Sequence, residues 1–325
     1  MKKLLLALAV FCLFASAAQA IDIKLGHVTA QVAPAHMISE MFKKKVEEKT
    51  NGQVTVTIFD NGTLGNEKNL QEGVRSGTVD MAVAASFHHV LPWAGILECP
   101  LLFRNMEHFI DVFSSPIGGQ LAKMFEDQIR VKVLFIAPHG GFRYISTKST
   151  PIKKPEDMVG LKIRNPNVPA YNILANASGA VPVPLDFSEL YLALDRGVVQ
   201  AQHNPVLNFV GGKFYEVQQY FVMVPWGITP HVVCMSNRMW NRLTPEQQQA
   251  VMEAGAETAK EYPALAKVEE EKGLAVFADR MTIIRPEEID LEAFQKMFRE
   301  KGIPELEKEY DAEVMKLFMS IVDFQ

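Results

Sequence analysis

Apolar and polar residues follow two different periods in the first third of the chain. Residues 22–28 and 54–58 alternate in polarity at every second position, which predicts two strands. Residues 37–46 carry apolar side chains at helical spacing, and a second helical segment ends at Gly77 before the apolar run 81–85. This order of strand, helix, strand, helix and strand predicts a largely parallel sheet covered by helices on both faces.

A second series of such elements follows Pro138. It comprises predicted strands over 143–147, 160–164 and 198–202, and predicted helices over about 169–178 and from Asp186 to Gly197. Asp186, with Glu189 three residues later, predicts a capping box that satisfies backbone N–H groups of the first helical turn. No long flexible linker separates the two series, so we expect two lobes that exchange strands.

The segment after Thr244 is almost entirely of helical character. Thr244 and Gln247 form a second predicted capping box, with Pro245 at the first helical position. The predicted helix continues toward Lys272, and Pro263 in its interior is expected to kink it.

The amino terminus has the pattern of a secretory signal peptide. Lys2 and Lys3 precede the apolar run 4–15, and small residues at positions 18 and 20 precede a more polar sequence. The apolar run is too short for a membrane span, which needs roughly 20 residues. We therefore predict cleavage after Ala20 and a secreted mature protein.

Charge and length limit what the mature chain can bind and how it is divided. Without residues 1–20 it has 305 residues, 31 basic and 38 acidic side chains, and a formal charge of −7. This excess of acid does not suit nucleic acid, whose phosphates require clustered Lys and Arg. The length predicts two domains. Cys99 and Cys234 match no metal or redox spacing, and we favour two separate buried thiols over one disulfide.

Motifs of several enzyme classes are missing from the sequence. It contains no phosphate-binding loop, nucleophile elbow, zinc-binding His-Glu-x-x-His helix or dinucleotide-binding glycine turn. His88 and His89 are adjacent, so on a strand they would face opposite sides and form a poor metal site. We therefore predict no catalytic residue, no metal and no cofactor, although catalytic groups need not be contiguous in sequence.

A fixed cation ends the strand predicted over 160–164. Arg164 is followed directly by the turn Asn165-Pro166-Asn167, and ligands of open α/β sheets lie at such strand ends. The planar guanidinium of arginine matches a carboxylate with two parallel hydrogen bonds. Arg164 is therefore a candidate carboxylate-binding residue, and a structural salt bridge is the alternative.

Several segments occur in an order that resembles one protein family. They are residues 54–60 with Leu64-Gly65-Asn66-Glu67, then 72–81, 155–164, and 187–194 with the stretch to Asn204-Pro205. Together they resemble the solute-binding subunits of tripartite ATP-independent periplasmic (TRAP) transporters over nearly the whole mature chain. The resemblance implies an α/β fold of the bilobed, type II-like periplasmic-binding-protein class. Two α/β domains would enclose a ligand cleft, and a long helix would span both lobes.

The resemblance also implies a division of the chain. Lobe I is expected to contain residues 21–144 and about 231–272, and lobe II residues 145–230 and about 273–325, after a signal peptide over 1–20. The mature protein would be a periplasmic monomer. Its expected partners are a small carboxylate ligand and the membrane permease subunits of a TRAP transporter.

Five residues match positions of the family's ligand site. The resemblance implies that Arg164 grips the substrate carboxylate and that Arg143 is a second cationic contact. Asn204, ahead of a proline, would close the site from the next strand. Asn167 and Phe187 match positions that line the pocket.

Three further candidates have alternative roles. Glu67 resembles the acid that accepts hydroxyl hydrogen bonds in members that bind sugar acids, or it is an acid favoured by the helix dipole. Trp226, like Phe187, would stack on a ligand ring or pack the lobe interface. Ser86 lies at a strand end where relatives often touch the ligand.

One segment departs from the family pattern. Ala201-Gln202-His203 stands where many relatives have Gly-Gln-Glu, which changes the polarity around Asn204. His27 and His36 are expected near the same cleft, with capping or core roles as the alternative.

The resulting hypothesis is capture of a small organic acid. A sugar acid such as a uronate or aldonate comes first, because two arginines require an anion and Glu67 suits hydroxyl groups. An aromatic or branched 2-oxo or amino acid comes second, because Phe187 and Trp226 would line an apolar pocket. A secreted sugar-acid lyase or isomerase, with Glu67 as base and Arg164 as anchor, and a sensor subunit are the alternatives.

Overall fold

A computed structural model describes residues 20–324, which form two sheets covered by helices. The strands are β1 (Ile21–Gly26), β2 (Val54–Phe59), β3 (Met81–Ala84), β4 (Val131–Pro138), β5 (Arg143–Thr147), β6 (Lys162–Asn165), β7 (Val181–Pro184), β8 (Ala201–Asn204), β9 (Tyr220–Gly227), β10 (Pro230–Ser236) and β11 (Thr282–Ile284). Apart from Ala20, the predicted signal peptide lies outside the described residues and stays a prediction.

The helices follow the same chain order. They are α1 (Pro34–Lys49), α2 (Glu67–Ser76), α3 (Met106–Ser114), α4 (Pro116–Ile129), α5 (Pro169–Ala177), α6 (Leu190–Asp195), α7 (Val206–Gly211), α8 (Asn237–Trp240), α9 (Pro245–Phe277), α10 (Leu291–Met297), α11 (Ile303–Glu309) and α12 (Ala312–Val322). Short 3-10 segments supplement them, and one of these covers Pro92–Glu98.

The first sheet has the strand order β2-β1-β3-β10-β4. Strand β1 pairs in parallel with β2 and β3, as the alternation of strands and helices along the chain predicts. Strand β10 is inserted between β3 and β4 and is antiparallel to both, which makes the sheet mixed. Helix α1 covers one face of this sheet and buries Ile38, Phe42 and Val46 completely.

The second sheet has the order β11-β9-β5-β8-β6-β7. Strands β6, β7 and β8 are mutually parallel neighbours, whereas β5 is antiparallel to both β8 and β9. The carboxyl end of β6 therefore lies beside the carboxyl ends of β7 and β8, so side chains from three separate chain segments meet at one edge.

The capping box predicted at Asp186 and Glu189 is wrong. Residues Phe187–Glu189 form a single 3-10 turn, and the Asp186 side chain makes no capping bond to it. Its carboxylate instead accepts a hydrogen bond of 2.8 Å from Nδ2 of Asn66, a residue that precedes helix α2. A contact between the two lobes has replaced the local cap.

Helix α9 connects the two cores. Its predicted capping box is confirmed, because Thr244 and Gln247 exchange side-chain to backbone hydrogen bonds. Near its middle, Tyr262 is buried in the core of the first sheet, whereas Phe277 at its end packs on Phe209 and Phe221 below the second sheet. The predicted helix spanning both lobes is thus present, and the kink at Pro263 stays a prediction.

Cys99 and Cys234 are free thiols and are completely buried, in agreement with the favoured interpretation. Burial raises the pKa of both thiol groups, so neither is a reactive thiolate.

Candidate ligand site between the two sheets

A cavity of about 170 Å³ lies between the two sheets and receives side chains from both. The segments that follow β1, β2, β3, β6 and β7, together with the start of helix α2, all contribute to its wall. Six of the eight residues predicted from the sequence line this cavity: Arg164, Arg143, Asn204, Phe187, Asn167 and Glu67. Their contact with a ligand stays a prediction, but the fold brings them together.

Arg164 is a buried cation with unused donors. Its side chain is 3% exposed, and Nε donates a hydrogen bond of 2.9 Å to the carbonyl oxygen of Leu185. Among the described residues, none accepts a hydrogen bond from its two terminal nitrogens and none forms a salt bridge with it. Burial and the neighbouring charge of Arg143 lower the pKa of Arg164 to about 9, which leaves it charged at neutral pH. The salt-bridge alternative therefore has no partner in this part of the chain.

Arg143 is held more completely by the protein. Nε donates to Nδ1 of His203 (2.7 Å), and the terminal nitrogens donate to the His203 carbonyl oxygen (2.6 Å), to Asn204 Oδ1 (3.3 Å) and to Thr229 Oγ1 (3.4 Å). Its guanidinium also lies 5.3 Å from the ring centre of Tyr171. Arg143 thus brings a fixed positive charge to the cavity wall, with most of its donors occupied.

His203 explains how the chain tolerates its departure from the Gly-Gln-Glu pattern. Because Nδ1 accepts from Arg143, the proton is on Nε2, which donates to Asn165 Oδ1 at 3.0 Å. Burial and the charges of Arg143 and Arg164 lower the pKa of His203 well below its usual value. A neutral ring therefore stands at this position, and the two guanidinium charges are not neutralised there.

The remaining lobe II residues fix the shape of the site. Asn204 uses both ends of its amide within the protein, because Nδ2 donates to Gln202 Oε1 at 2.5 Å and Oδ1 accepts from Arg143. Phe187 packs edge-on against Phe214, 5.8 Å between ring centres, and also faces the cavity. Asn167 is exposed at the rim.

Glu67 lies at a helix start and also lines the cavity, and its contact with a ligand stays a prediction. It is the first residue of helix α2, and Oε1 accepts a hydrogen bond of 2.7 Å from the backbone N–H of Ala85 at the end of β3. Burial raises the pKa of Glu67. Its carboxyl group thus connects a helix start to a strand end while it lines the cavity.

Two predicted residues do not line the cavity. Ser86 is completely buried behind the wall, where Oγ donates a hydrogen bond of 2.6 Å to Glu98 Oε1. Trp226 is 2% exposed and packs edge-on against Phe294 of helix α10, 6.4 Å between ring centres, and its ring centre lies 6.1 Å from that of His203. Of the two alternatives for Trp226, the structure therefore favours packing.

Glu98 is a cavity residue that the sequence motifs did not reveal. It ends the 3-10 segment Pro92–Glu98, is 2% exposed, and lines the cavity together with His88, whose Nδ1 lies 3.4 Å from Glu98 Oε1. Burial alone would raise its pKa, but the hydrogen bonds from His88 and Ser86 outweigh burial and lower it. The only local signal is an acid inside the apolar stretch Gly95–Leu102.

The hydrogen bond between Asn66 and Asp186 joins the lobes at the cavity rim. The same Asn66 amide caps helix α2 through Oδ1, which accepts from the N–H of Asn69 at 2.9 Å. We expect Asn66→Asp to keep the cap, since a carboxylate also accepts, but to lose the bridge and repel Asp186. Ligand dissociation should accelerate on the order of 5-fold, measured by stopped-flow fluorescence.

Two matched variants accompany this prediction. Asp186→Ala should accelerate dissociation similarly without touching the cap. Asn66→Ala should accelerate dissociation and also lower the melting temperature. An unchanged dissociation rate in both Asn66→Asp and Asp186→Ala would show that the bridge does not hold the closed state.

Buried histidines make stability dependent on pH. Burial, with the charge of His36, lowers the pKa of His27 to about 4, and burial lowers that of His231 to about 3. In the unfolded chain these groups take up protons below about pH 6.5. Their contribution to stability is therefore complete above pH 6.5 and is lost as the pH falls toward 4.

Glu270 acts in the opposite direction. Burial and the charge of Glu271 raise its pKa to about 7, so the folded protein keeps this proton where the unfolded chain has lost it. Two buried histidines lose stabilisation at low pH, whereas one glutamate gains it. We therefore expect the free energy of unfolding in urea to fall by about 2 kcal/mol or more between pH 7.5 and 4.5. Glu270→Gln should steepen that fall, and a flat or rising profile would contradict the assignment.

Comparison with known proteins places this geometry in one family. Residues 25–302 match the model of the bacterial extracellular solute-binding proteins, family 7. The chain is 30% identical to a 2,3-diketo-L-gulonate-binding periplasmic protein of Escherichia coli, over 82% of this chain and 80% of the relative. It is 31% identical to a C4-dicarboxylate-binding periplasmic protein of Rhodobacter capsulatus, again over 82% and 80%.

The fold agrees with a solved structure of the same kind. A TRAP periplasmic solute-binding protein from Roseobacter denitrificans with bound L-galactonate matches with a TM-score of 0.83 and 28% identity, over 92% of this chain and 99% of that one. Within residues 20–324, no helix has both the length and the apolar character needed to cross a bilayer. The chain belongs to the bacterial extracellular solute-binding proteins of family 7, the periplasmic solute-binding subunits of TRAP transporters.

Proposed function

We propose that this protein binds a sugar acid, a uronate or an aldonate, in the cleft between its lobes and delivers it to the membrane permease subunits of a TRAP transporter. The observation that carries the proposal is Arg164, a buried guanidinium whose terminal nitrogens lack protein partners among the described residues. A buried charge of this kind is stable only with a counter-ion, and a carboxylate fits its paired donors.

The opposite wall supplies acceptors for hydroxyl groups. Glu67 and Glu98 reach the cavity from lobe I, whereas both arginines come from the second sheet. A ligand with a carboxylate at one end and hydroxyl groups at the other is complementary to this polarity. Two of the relatives described above bind acids of this class, 2,3-diketo-L-gulonate and L-galactonate.

An aromatic 2-oxo acid fits less well. Its recognition would require an apolar wall, and of the two aromatic residues predicted for that role only Phe187 lines the cavity. Two lobes around one cleft suit capture by closure. An acid docks on Arg164 in the open form, and additional contacts from lobe I make the closed form bind it more tightly. The ligand shifts the equilibrium toward the closed form by the difference in affinity between the two forms.

The remaining elements of the proposal concern the mature chain. We place the cleavage site after Ala20, with a periplasmic monomer as the product. Lobe I contains residues 21–144 and about 231–272, and lobe II contains residues 145–230 and about 273–325. The exchange of strands supports this division, since β10 returns to the first sheet and β11 to the second, although β5 places Arg143 and Tyr144, at the boundary, in the second sheet.

A thermal-shift screen of small acids tests the function. A ligand at 100 times its dissociation constant should stabilise the protein by about 2.7 kcal/mol. We expect uronates and aldonates to raise the melting temperature, and neutral sugars of the same size to leave it unchanged. Recovery of the ligand unaltered after incubation would exclude the lyase or isomerase alternative, and a screen without any responding acid would refute the proposal.

A further inference from the structure

Glu98 has one carboxylate oxygen held by protein groups and one without a described hydrogen-bond donor. Ser86 donates to Oε1 at 2.6 Å, and Nδ1 of His88 lies 3.4 Å from the same atom. Among residues 20–324, no group donates a hydrogen bond to Oε2. Because the side chain is 2% exposed and lines the cavity, its second oxygen is available to a ligand and not to bulk water.

The charges of the cavity wall set how many carboxylates it can hold. Three ionic side chains of the wall are at least nine-tenths buried, namely Arg143, Arg164 and Glu98. These three side chains leave an excess of one positive charge, which is the upper limit for the wall, because its two more exposed acids, Glu67 and Asp186, can only reduce it. Buried charges are stable when they are paired, so a single ligand carboxylate completes the set. A second carboxylate would enter the part of the cavity that Glu98 faces.

We propose that Glu98 determines specificity in this cavity, by accepting a hydrogen bond from a ligand hydroxyl through Oε2 and by excluding ligands that carry a second carboxylate. The ligand class is then the monocarboxylic polyhydroxy acids. This inference rests on the proposed function and narrows it. Family membership does not decide whether the ligand carries one carboxylate or two, because relatives include both a diketogulonate-binding and a C4-dicarboxylate-binding protein.

The residues around Glu98 show how its position is maintained. Ser86 lies two residues after the end of strand β3, and Glu98 is the last residue of the 3-10 segment Pro92–Glu98, so the hydrogen bond between them joins these two segments. His88 lines the cavity beside them. The predicted ligand-binding role of Ser86 is thereby replaced by a positioning role: it orients the acid that faces the ligand.

The first test uses ligand pairs and no variant. Galactonate and galactarate share a carbon chain and hydroxyl configuration and differ only in a terminal hydroxymethyl or carboxylate group; gluconate and glucarate form a second pair. At pH 8, where histidine side chains are ordinarily neutral, each aldonate that binds should bind at least about 100-fold more tightly than its aldarate by calorimetry. Equal affinity within a pair would overturn the role of Glu98.

The second test changes the acid itself. Glu98→Gln keeps the size of the side chain and should weaken aldonate binding while reducing the preference over the aldarate to less than about 10-fold. The matched variant Glu67→Gln should weaken aldonate binding without changing that preference. A folded Glu98→Gln protein with an unchanged preference would overturn the proposal, and if this variant does not fold, the ligand pairs decide.

Different results would refute the proposed function and the role of Glu98. If the unaltered protein bound no uronate or aldonate, the function on which this inference rests would be removed. If it bound aldonates and aldarates alike, the function would stand and the role of Glu98 would fall.

Discussion

Replacement of Arg164 by methionine should abolish measurable sugar-acid binding while the free protein stays folded. The side chain lies at the end of β6 and, within residues 20–324, gives a single hydrogen bond, from Nε to the carbonyl oxygen of Leu185. Loss of a desolvated charge partner costs about 2–5 kcal/mol, which corresponds to a roughly 30- to 5,000-fold increase in the dissociation constant. Calorimetry with the acids found in the screen measures this directly.

The stability of the same variant is informative. A buried guanidinium without a carboxylate partner destabilises the free protein, so Arg164→Met should melt at the same temperature as the parent or higher. Arg164→Lys is the matched control: it keeps the charge, loses the planar pair of donors, and should retain weak binding. Undiminished affinity in the methionine variant would refute the site assignment.

The corresponding change at Arg143 should have a different outcome. Arg143→Met leaves Nδ1 and the carbonyl oxygen of His203, and Oδ1 of Asn204, without their donor inside a buried network. Each buried unsatisfied group costs about 1–3 kcal/mol, partly offset by removal of the charge. We expect the free energy of unfolding to fall by about 2–4 kcal/mol, measured by urea denaturation, together with weaker ligand binding.

A double-mutant cycle separates the network from the ligand. With His203→Phe as the second change, the losses in stability should be less than additive, because one side of the interaction is already absent. Additive losses, or an Arg143→Met protein as stable as the parent, would show that the network contributes little. The contrast between the two arginines thus distinguishes a residue kept for the ligand from one kept for the fold.

Local sequence patterns predicted most helices and strands, because the faces and ends of these elements depend on residues a few positions apart in the sequence. Gly77 ends helix α2 in the left-handed conformation, with φ of 80°, and Thr244 with Gln247 caps α9. The antiparallel insertion of β10 depends instead on pairing with strands that lie far away in the sequence. The box at Asp186 failed for the same reason, since a distant partner, Asn66, outcompeted the local one.

The residues of the site likewise divide into those that local sequence patterns predicted and those that depend on distant contacts. Strand ends placed Arg164 and Asn204 at the cavity, because the parallel strands β6 and β8 deliver their carboxyl ends to one edge. Glu98 carries no motif; its role depends on Ser86 from a neighbouring segment and on two arginines from strands of the second sheet. Trp226 shows the converse, because an aromatic residue suited to stacking on a ligand packs on Phe294 of helix α10 and does not line the cavity.

The late position of β10 affects how the chain folds as it is made. The strand lies in the interior of the first sheet, between β3 and β4, yet its residues, Pro230–Ser236, follow almost the whole of the second sheet in sequence. A growing polypeptide therefore cannot complete its amino-terminal sheet until residue 236 has left the ribosome. For a protein that we expect to be exported, this delay would keep the nascent chain extended and competent for translocation.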